Sequence, residues 1–337
     1  MSYRRRVVVE SFGDPDVMRI SADEVPHPGA GEVRVRVLAA GVAHADILMR
    51  AGRYPGGNPR PPFVPGWDIA GVVEALGPGV PDRWQGERIA ALVFSGGYAS
   101  HVCLPADNLV SLPAGVDVHE AACLPLNYVT AYELLRHVAQ ARPADRILVH
   151  GAAGGVGTAL LDLASQIGLD AYGTASSRKG SVVTSFGAHF IDYTAEDFET
   201  CVLAATGDGV DAIFDPIGAA NLPRSFRTLR EGGRLISYGF LDLRWSRFHT
   251  LPVLRDLLRL RIWSLLPNGR QTAFYRLSDV ARRKPQRIRD NLDSLVSGLQ
   301  SGNLRPLIAE LMPLDRAADA HRLIEHGNVL GKILLVP

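Results

Sequence analysis

The sequence predicts an α/β protein of two domains, one β-rich and one built on a doubly wound parallel sheet. Its 337 residues exceed what one hydrophobic core ordinarily organises. Up to about residue 120, period-two apolar runs are broken by Gly and Pro; from about 125, aliphatic runs alternate with helical periods. A glycine-rich turn, "VHGAAGGVG" (149–157), stands between one such run and the helical period that follows.

In the first region, "EVRVRVLAAGV" (32–42) alternates apolar and polar residues as a half-buried strand does, and "DIAGVVEAL" (68–76) and "ERIAALVF" (87–94) are further strands. "NPRPPFVPG" (58–66) is a loop, since its prolines cannot donate to a central ladder. In the second region, Ile147–Val149, Asp170–Thr174, His189–Asp192, Val210–Phe214 and Arg234–Tyr238 read as strands between helices such as Leu160–Ile167. That order is a series of βαβ units, hence a parallel sheet. "RDLLRLRIWSLL" (255–266) is expected to form a helix and a strand packed internally or against a subunit; its arginines exclude a bilayer span. Two helices ("IRDNLDSLVSGLQSG" and "DRAADAHRLIEHG") and a last strand, "KILLVP" (332–337), then return to the first domain.

Hydrophobic content of 47% with 21% charged residues is that of an ordinary globular protein. A net charge of +1 gives no electrostatic basis for a nucleic-acid or membrane partner. The cysteines, Cys103, Cys123 and Cys201, lack metal-site or disulfide spacing, so a reducing cytoplasm is the expected location. The apolar run in "MSYRRRVVVESFG" is too short for a signal peptide. Basic residues other than Lys179, Lys284 and Lys332 are arginines, a bias that suggests a GC-rich bacterial genome.

The turn Ala152-Ala153-Gly154-Gly155-Val156-Gly157 is the G-x-G-x-x-G pattern with alanine first. Gly154 lets the backbone approach a pyrophosphate, Gly157 lets the helix pack close to the strand, and the helix-start amides face the anion. Where an NAD site places Asp or Glu for the ribose 2′-hydroxyl, this chain reads Ser176-Ser177-Arg178-Lys179. Two hydroxyls and two cations suit a 2′-phosphate, so NADPH is the expected cofactor; a solvated turn is the other reading.

In these motifs the chain resembles the medium-chain dehydrogenase/reductase superfamily, in its zinc-independent quinone oxidoreductase (zeta-crystallin-like) branch. The resemblance runs through "SFGDPDVMRI", "PHPGAGEVRVRVLAAGVAHADILMRAGRYP", "VPGWDIAGVVEALGPGV", "LPLNYVTAYELL", "HGAAGGVGTA", "GTASS", "DPIG" and "GKILLVP", in family order. "RIWSLLPNGRQTAFY" is further similar to a subgroup named for a synaptic vesicle membrane protein. The resemblance implies a GroES-like catalytic domain over 1–124, rejoined by 267–337, and a Rossmann NADP-binding domain over 125–266, with the active site in the cleft. It implies a homodimer or tetramer joined through Rossmann-domain edge strands. It implies Ser176, Ser177, Lys179 and Tyr193 around the 2′-phosphate, and Ala153, Gly154, Gly155 and Val156 along the pyrophosphate. Around the nicotinamide half it implies Asn127, Thr130, Ile217, Gly239, Phe240 and Lys332.

Zinc is not expected. The region that carries the first ligand in the zinc-dependent relatives reads "GVAHAD" without cysteine, and Gly66-Trp67-Asp68 stands where Gly-His-Glu is usual. Four-coordinate zinc needs convergent N or S ligands that His44, Asp68 and Cys123 supply poorly. Without a Lewis acid, conjugate reduction of an enone, enoyl group or quinone is the easier chemistry: hydride arrives at the β-carbon and charge gathers on the carbonyl oxygen. Tyr54 stands where the branch has an active-site tyrosine, and either donates to that oxygen or packs against the proline loop. The branch often has Asn where this chain has Ala43; His44 either substitutes for it or is structural. Trp67, Tyr128 and residues 240–266 are open between pocket wall and core or dimer edge. Two other readings remain: a reductive cyclase of a bacterial natural-product pathway, and a nucleotide-binding structural protein with little turnover.

Overall fold

The structure, a computed structural model, describes residues 3–55, 57–241 and 250–337. It divides into two compact units, Met1–Val129 with Ser278–Pro337, and Thr130–Leu277.

In chain order the first unit opens with β1 (Tyr3–Val9) and β2 (Met18–Glu24), an antiparallel pair. Then come β3 (Glu32–Val42), β4 (Asp68–Leu76), β5 (Arg88–Leu92), β6 (His101–Pro105) and β7 (Leu109–Ser111). The second unit contains β8 (Arg146–His150), β9 (Asp170–Ala175), β10 (His189–Asp192), β11 (Val210–Asp215), β12 (Leu229–Ser237) and β13 (Gln271–Phe274). The chain returns to the first unit with β14 (Ile308–Pro313) and β15 (Lys332–Val336).

The first unit's larger sheet runs β14-β15-β3-β4-β5-β7, with β6 also on β3. The alternation legible in β3 is its burial: Val33, Val35 and Val37 are 0–3% exposed, while Arg36 turns out to pair with Glu74 at 3.0 Å. Each valine removed from water contributes roughly 1.5–3 kcal/mol. The C-terminal strand joins by pairing antiparallel to the end of β3, Leu334 opposite Gly41, which brings Lys332 beside that strand's last residues. Between β3 and β4 lie the helix His44–Arg50 and the proline loop, which pairs Phe63 with Val9.

The second unit's sheet has the order β10-β9-β8-β11-β12-β13, all parallel. Strand order reverses between β8 and β11, and the ends of β8, β9, β10, β11 and β12 face one edge of the sheet, where doubly wound folds bind ligands. Leu148, Ile213 and Leu235, central on three neighbouring strands, are fully buried.

Residues 255–266 differ from expectation. Residues 255–263 belong to one helix, Thr250–Trp263, residues 264–266 form the turn after it, and the next strand begins only at Gln271. The apolar spacing explains this: Leu251, Leu254, Leu258 and Ile262 recur every three or four residues on an exposed face, whereas Leu260 is buried and Trp263 stacks on Phe226 at 4.5 Å. Of the segment expected over a substrate, residues 242–249 lie outside the described residues.

Candidate functional site

In the second unit the glycine turn joins β8 to the helix Gly155–Ile167. The helix's first internal bond runs from the Thr158 amide to the Gly154 carbonyl at 2.8 Å, so the amides of Gly155, Val156 and Gly157 precede the ladder. A Cβ on Gly157 would stand 2.3 Å from the Gly151 oxygen and 2.7 Å from that of Ala152. Only glycine lets the helix start this close to the strand, and three amides and the helix dipole then favour an anion. The turn fits a dinucleotide pyrophosphate. Ala153 is buried at 2% exposure beneath it, while Gly154, Gly155 and Val156 are half-buried.

The floor under the turn is a buried polar network. Asp215, at the end of β11, accepts from the amides of Ile217 (2.8 Å) and Gly218 (3.0 Å), from Asn221 (2.9 Å) and from the Ser225 hydroxyl (2.9 Å). Because Ser225 donates to Asp215, its oxygen accepts from His150 Nε2 at 3.1 Å, and Nδ1 accepts from Thr174 at 3.0 Å. Burial holds His150 below the usual histidine range, consistent with that neutral ring. These bonds fix the strand ends that carry the turn and the Pro216–Gly218 loop. Burial also pushes the Tyr238 phenol well up. Gly239 lies against Pro216, and Phe240 is buried, stacked on Phe274 at 5.0 Å.

Beyond β9, Ser176 and Lys179 are half-buried and Ser177 and Arg178 exposed; the Lys179 amide closes on the Ser176 carbonyl at 2.8 Å. An acid does stand here. Asp192, last residue of β10, accepts from the Ser177 hydroxyl, from the Thr194 hydroxyl at 2.6 Å and from the Thr194 amide at 3.0 Å. Hydrogen bonds from Ser177 and Thr194 hold its carboxyl below the usual range. An NAD-type acid is expected at the end of the unit's second strand, whereas Asp192 ends the third. Tyr193, its neighbour, is 58% exposed.

The first unit carries a second cluster. Lys332 Nζ donates to Asp68 Oδ2 at 2.6 Å and to Asn127 Oδ1 at 3.4 Å, with both charged side chains at most 2% exposed. Gly41 makes the space: a Cβ there would lie 2.1 Å from Lys332 Cε and 2.4 Å from Asp68 Oδ1. Burial raises Asp68 despite the lysine, and pushes the neighbouring Cys123 thiol up to about 12. This donor set does not fit zinc: the carboxylate is engaged by an ammonium and the thiol resists ionisation. Among the described residues, no three His, Cys, Asp or Glu side chains group as metal ligands.

A chain of hydrogen bonds sets the start of the helix His44–Arg50. Asp46, fully buried, accepts from the amides of Ala43 (2.9 Å) and Gly66 (2.8 Å), clasping the segments that carry His44 and Asp68. The Tyr98 hydroxyl donates to it at 3.3 Å and accepts from His321 Nε2 at 3.1 Å. His321 Nδ1 in turn accepts from the Arg50 guanidinium at 3.2 Å, and Arg50 pairs with Glu325 at 2.5 Å. Burial, then the Arg50 charge, holds His321 well below its usual range; burial lifts Asp46 to about 7. Asp46 caps the Ala43 amide directly at the start of this helix. Tyr54 is half-buried, its ring edge-on to Trp67 at 5.5 Å, and its amide donates to Asn58 at 2.8 Å.

Comparison with known proteins adds to this geometry. Residues 29–114 match the alcohol dehydrogenase GroES-like domain family and residues 186–335 the zinc-binding dehydrogenase family. The quinone oxidoreductase of Rattus norvegicus is 33% identical over 339 residues, 98% of this chain and 97% of that protein. The chain belongs to the medium-chain dehydrogenase/reductase superfamily, in its quinone oxidoreductase branch. The synaptic vesicle membrane protein VAT-1 homolog of the same species is 33% identical over 99% of this chain and 84% of its own length. The solved structure of Escherichia coli quinone oxidoreductase complexed with NADPH is 27% identical, with a TM-score of 0.87 over 99% of this chain and 100% of that one.

Thus Asn127 and Lys332 meet at Asp68 in the first unit, which also carries Tyr54 and His44. The turn residues, Ser176, Ser177, Lys179, Tyr193, Ile217, Gly239 and Phe240 lie in the second unit, which Thr130 opens. Arg50, Tyr98 and His321 went unnoticed because their partners are 223 to 271 residues apart for the pairs with His321. Asp192 had a local signal, its place directly before Tyr193.

Proposed function

We propose that the protein is an NADPH-dependent, metal-independent reductase of an α,β-unsaturated carbonyl or quinone. The observation that carries this is the glycine turn with its three helix-start amides, set at the strand ends where order reverses and floored by the Asp215–Ser225–His150 network. The relatives' names and the NADPH bound to the E. coli protein support it. A reduced nicotinamide supplies the hydride for the substrate β-carbon. Ala153 to Val156 hold the pyrophosphate, and Ser176, Ser177, Lys179 and Tyr193 meet the adenosine ribose. Asn127, Thr130, Ile217, Gly239, Phe240 and Lys332 serve the nicotinamide half.

Tyr54 donates to the carbonyl oxygen as charge gathers there, since a phenol stays protonated at neutral pH. His44 opens the Asp46-capped helix and serves proton delivery to the α-carbon. Lys332, engaged by Asp68, supports metal-free chemistry, because a carboxylate bound to an ammonium is a poor zinc ligand. The chain assembles as a homodimer or tetramer through the edge strands of the parallel sheet, β10 and β13. No described helix is long and apolar enough to cross a membrane, and the cytoplasm is the proposed location.

The test is oxidation of NADPH in the presence of simple enones and 1,4-quinones, with Tyr54→Phe alongside. We expect turnover by the wild type and a loss of about 10²–10³ in kcat for Tyr54→Phe, the scale of one oxyanion donor, with NADPH affinity unchanged. A wild type that binds neither nucleotide removes the reductase reading.

A further inference from the structure

Ser177 and Thr194 border the turn proposed to meet the adenosine ribose, and each hydroxyl has a single proton to give. Both give it to Asp192: Ser177 to Oδ2 and Thr194 to Oδ1, with the Thr194 amide also on Oδ1. A hydroxyl that donates to a carboxylate turns its lone pairs outward, and lone pairs repel a phosphate oxygen. The sequence alone suggested a turn with two hydroxyl donors and two cations. Of those two hydroxyls the structure commits Ser177 to Asp192, which leaves Ser176, Arg178 and Lys179 to face a phosphate, offset by a carboxylate. Asp192 ends β10 directly after Ile191, which pairs with Thr174 of β9, so the acid stands beside the end of the strand that leads into Ser176.

We propose that Asp192 is the residue that sets cofactor choice, opposing a 2′-phosphate at the Ser176–Lys179 turn and accepting a bond from a ribose 2′-hydroxyl, so that the protein takes NADH alongside NADPH. This rests on the nucleotide-binding reading above and refines it. The carboxylate remains ionised across neutral pH, because the bonds from Ser177 and Thr194 stabilise its charged form. Its repulsion acts on the 2′-phosphate of NADPH, and NADH has a hydroxyl there that can donate. In bonds and charge, Asp192 does at the end of the third strand what an acid at the end of the second does in NAD-selective folds.

Isothermal titration of the whole protein with NADPH and with NADH, on wild type and Asp192→Asn, tests this. The amide keeps an oxygen for Ser177 and Thr194 and removes the charge. Wild type is expected to bind both nucleotides within about tenfold of each other. In Asp192→Asn the preference for NADPH over NADH is expected to rise about three- to tenfold, the effect of one charge at a contact in water after screening. That gain should shrink between 0.02 and 0.5 M salt, roughly as the Debye length contracts. Asp192→Ser carries the same expectation and serves if the first variant does not fold. If both nucleotides bind and neither variant shifts the ratio, or the shift favours NADH, Asp192 does not select and only this inference falls. If the wild type binds neither nucleotide, the nucleotide-binding reading falls and takes the inference with it.

Discussion

Removing Lys332 should expose how much of the first unit depends on one buried ion pair. Asp68 and Lys332 are at most 2% exposed and 2.6 Å apart. Replacing lysine by methionine keeps the stem and leaves Asp68 facing Asn127 and Cys123 with no cation. Loss of one partner from a buried pair typically costs about 3–5 kcal/mol, because the remaining charge is uncompensated. The carboxyl can escape that cost by taking a proton, so the loss should depend on pH. Asp68 is already raised by burial, and without lysine it rises further. Between the raised value of Asp68 in the wild type and its still higher value in the variant, only the folded variant holds a proton that unfolding releases, and the variant's deficit grows there by about 1.4 kcal/mol per pH unit. Urea unfolding of Lys332→Met at pH 5 and pH 8, followed by tryptophan fluorescence with Trp67 beside Asp68, measures this. The double variant Asp68→Asn/Lys332→Met should recover at least about 2 kcal/mol relative to the sum of the singles, since both charges are gone. A single-variant cost below about 1 kcal/mol, or singles that add in the double, would refute the idea that burial makes the pair interdependent.

Gly157→Ala places a methyl 2.3 Å from the Gly151 oxygen, so the helix start must shift; we expect a destabilisation of about 1–3 kcal/mol and at least a tenfold weaker NADPH titration, and unchanged binding would show that this close approach is dispensable. His321→Gln should lose stability at pH 7.5 with the Tyr98 and Arg50 bonds, yet its deficit should shrink on going to pH 5. The reason is that wild-type His321 is held neutral below pH 6.5 while the unfolded chain protonates, which costs the wild type about 1.4 kcal/mol per pH unit. Equal deficits by urea unfolding at the two pH values would mean that His321 takes up a proton in the folded protein.

Much of the fold was legible in the sequence because it rests on periodicity and on chain order. The alternating valines of β3 and the β8-turn-helix signature are local patterns, and backbone geometry converts each into one structure. The strand ends, and with them the positions of the glycine turn and of Ser176 to Lys179, follow from that local grammar. The helix expected within 255–266 is present but the strand is not, because a short apolar run fits either period until burial selects one. Leu260 turns inward, while the face bearing Leu258 and Ile262 is exposed.

What the sequence by itself determined was the parallel sheet, the β-rich partner sheet, the glycine turn and the family. Those depend on contacts within about a dozen residues or on motifs in order. Tertiary structure alone decided the chemistry around them. It joined Lys332 to Asp68, 264 residues apart. It threaded Arg50, His321 and Tyr98 onto Asp46, and it turned Asp192 onto Ser177. A charge or hydroxyl in a sequence has no fixed role, because its proton, its ionisation and its partner are set by burial and by whichever distant strand brings a complementary group within 3 Å or so.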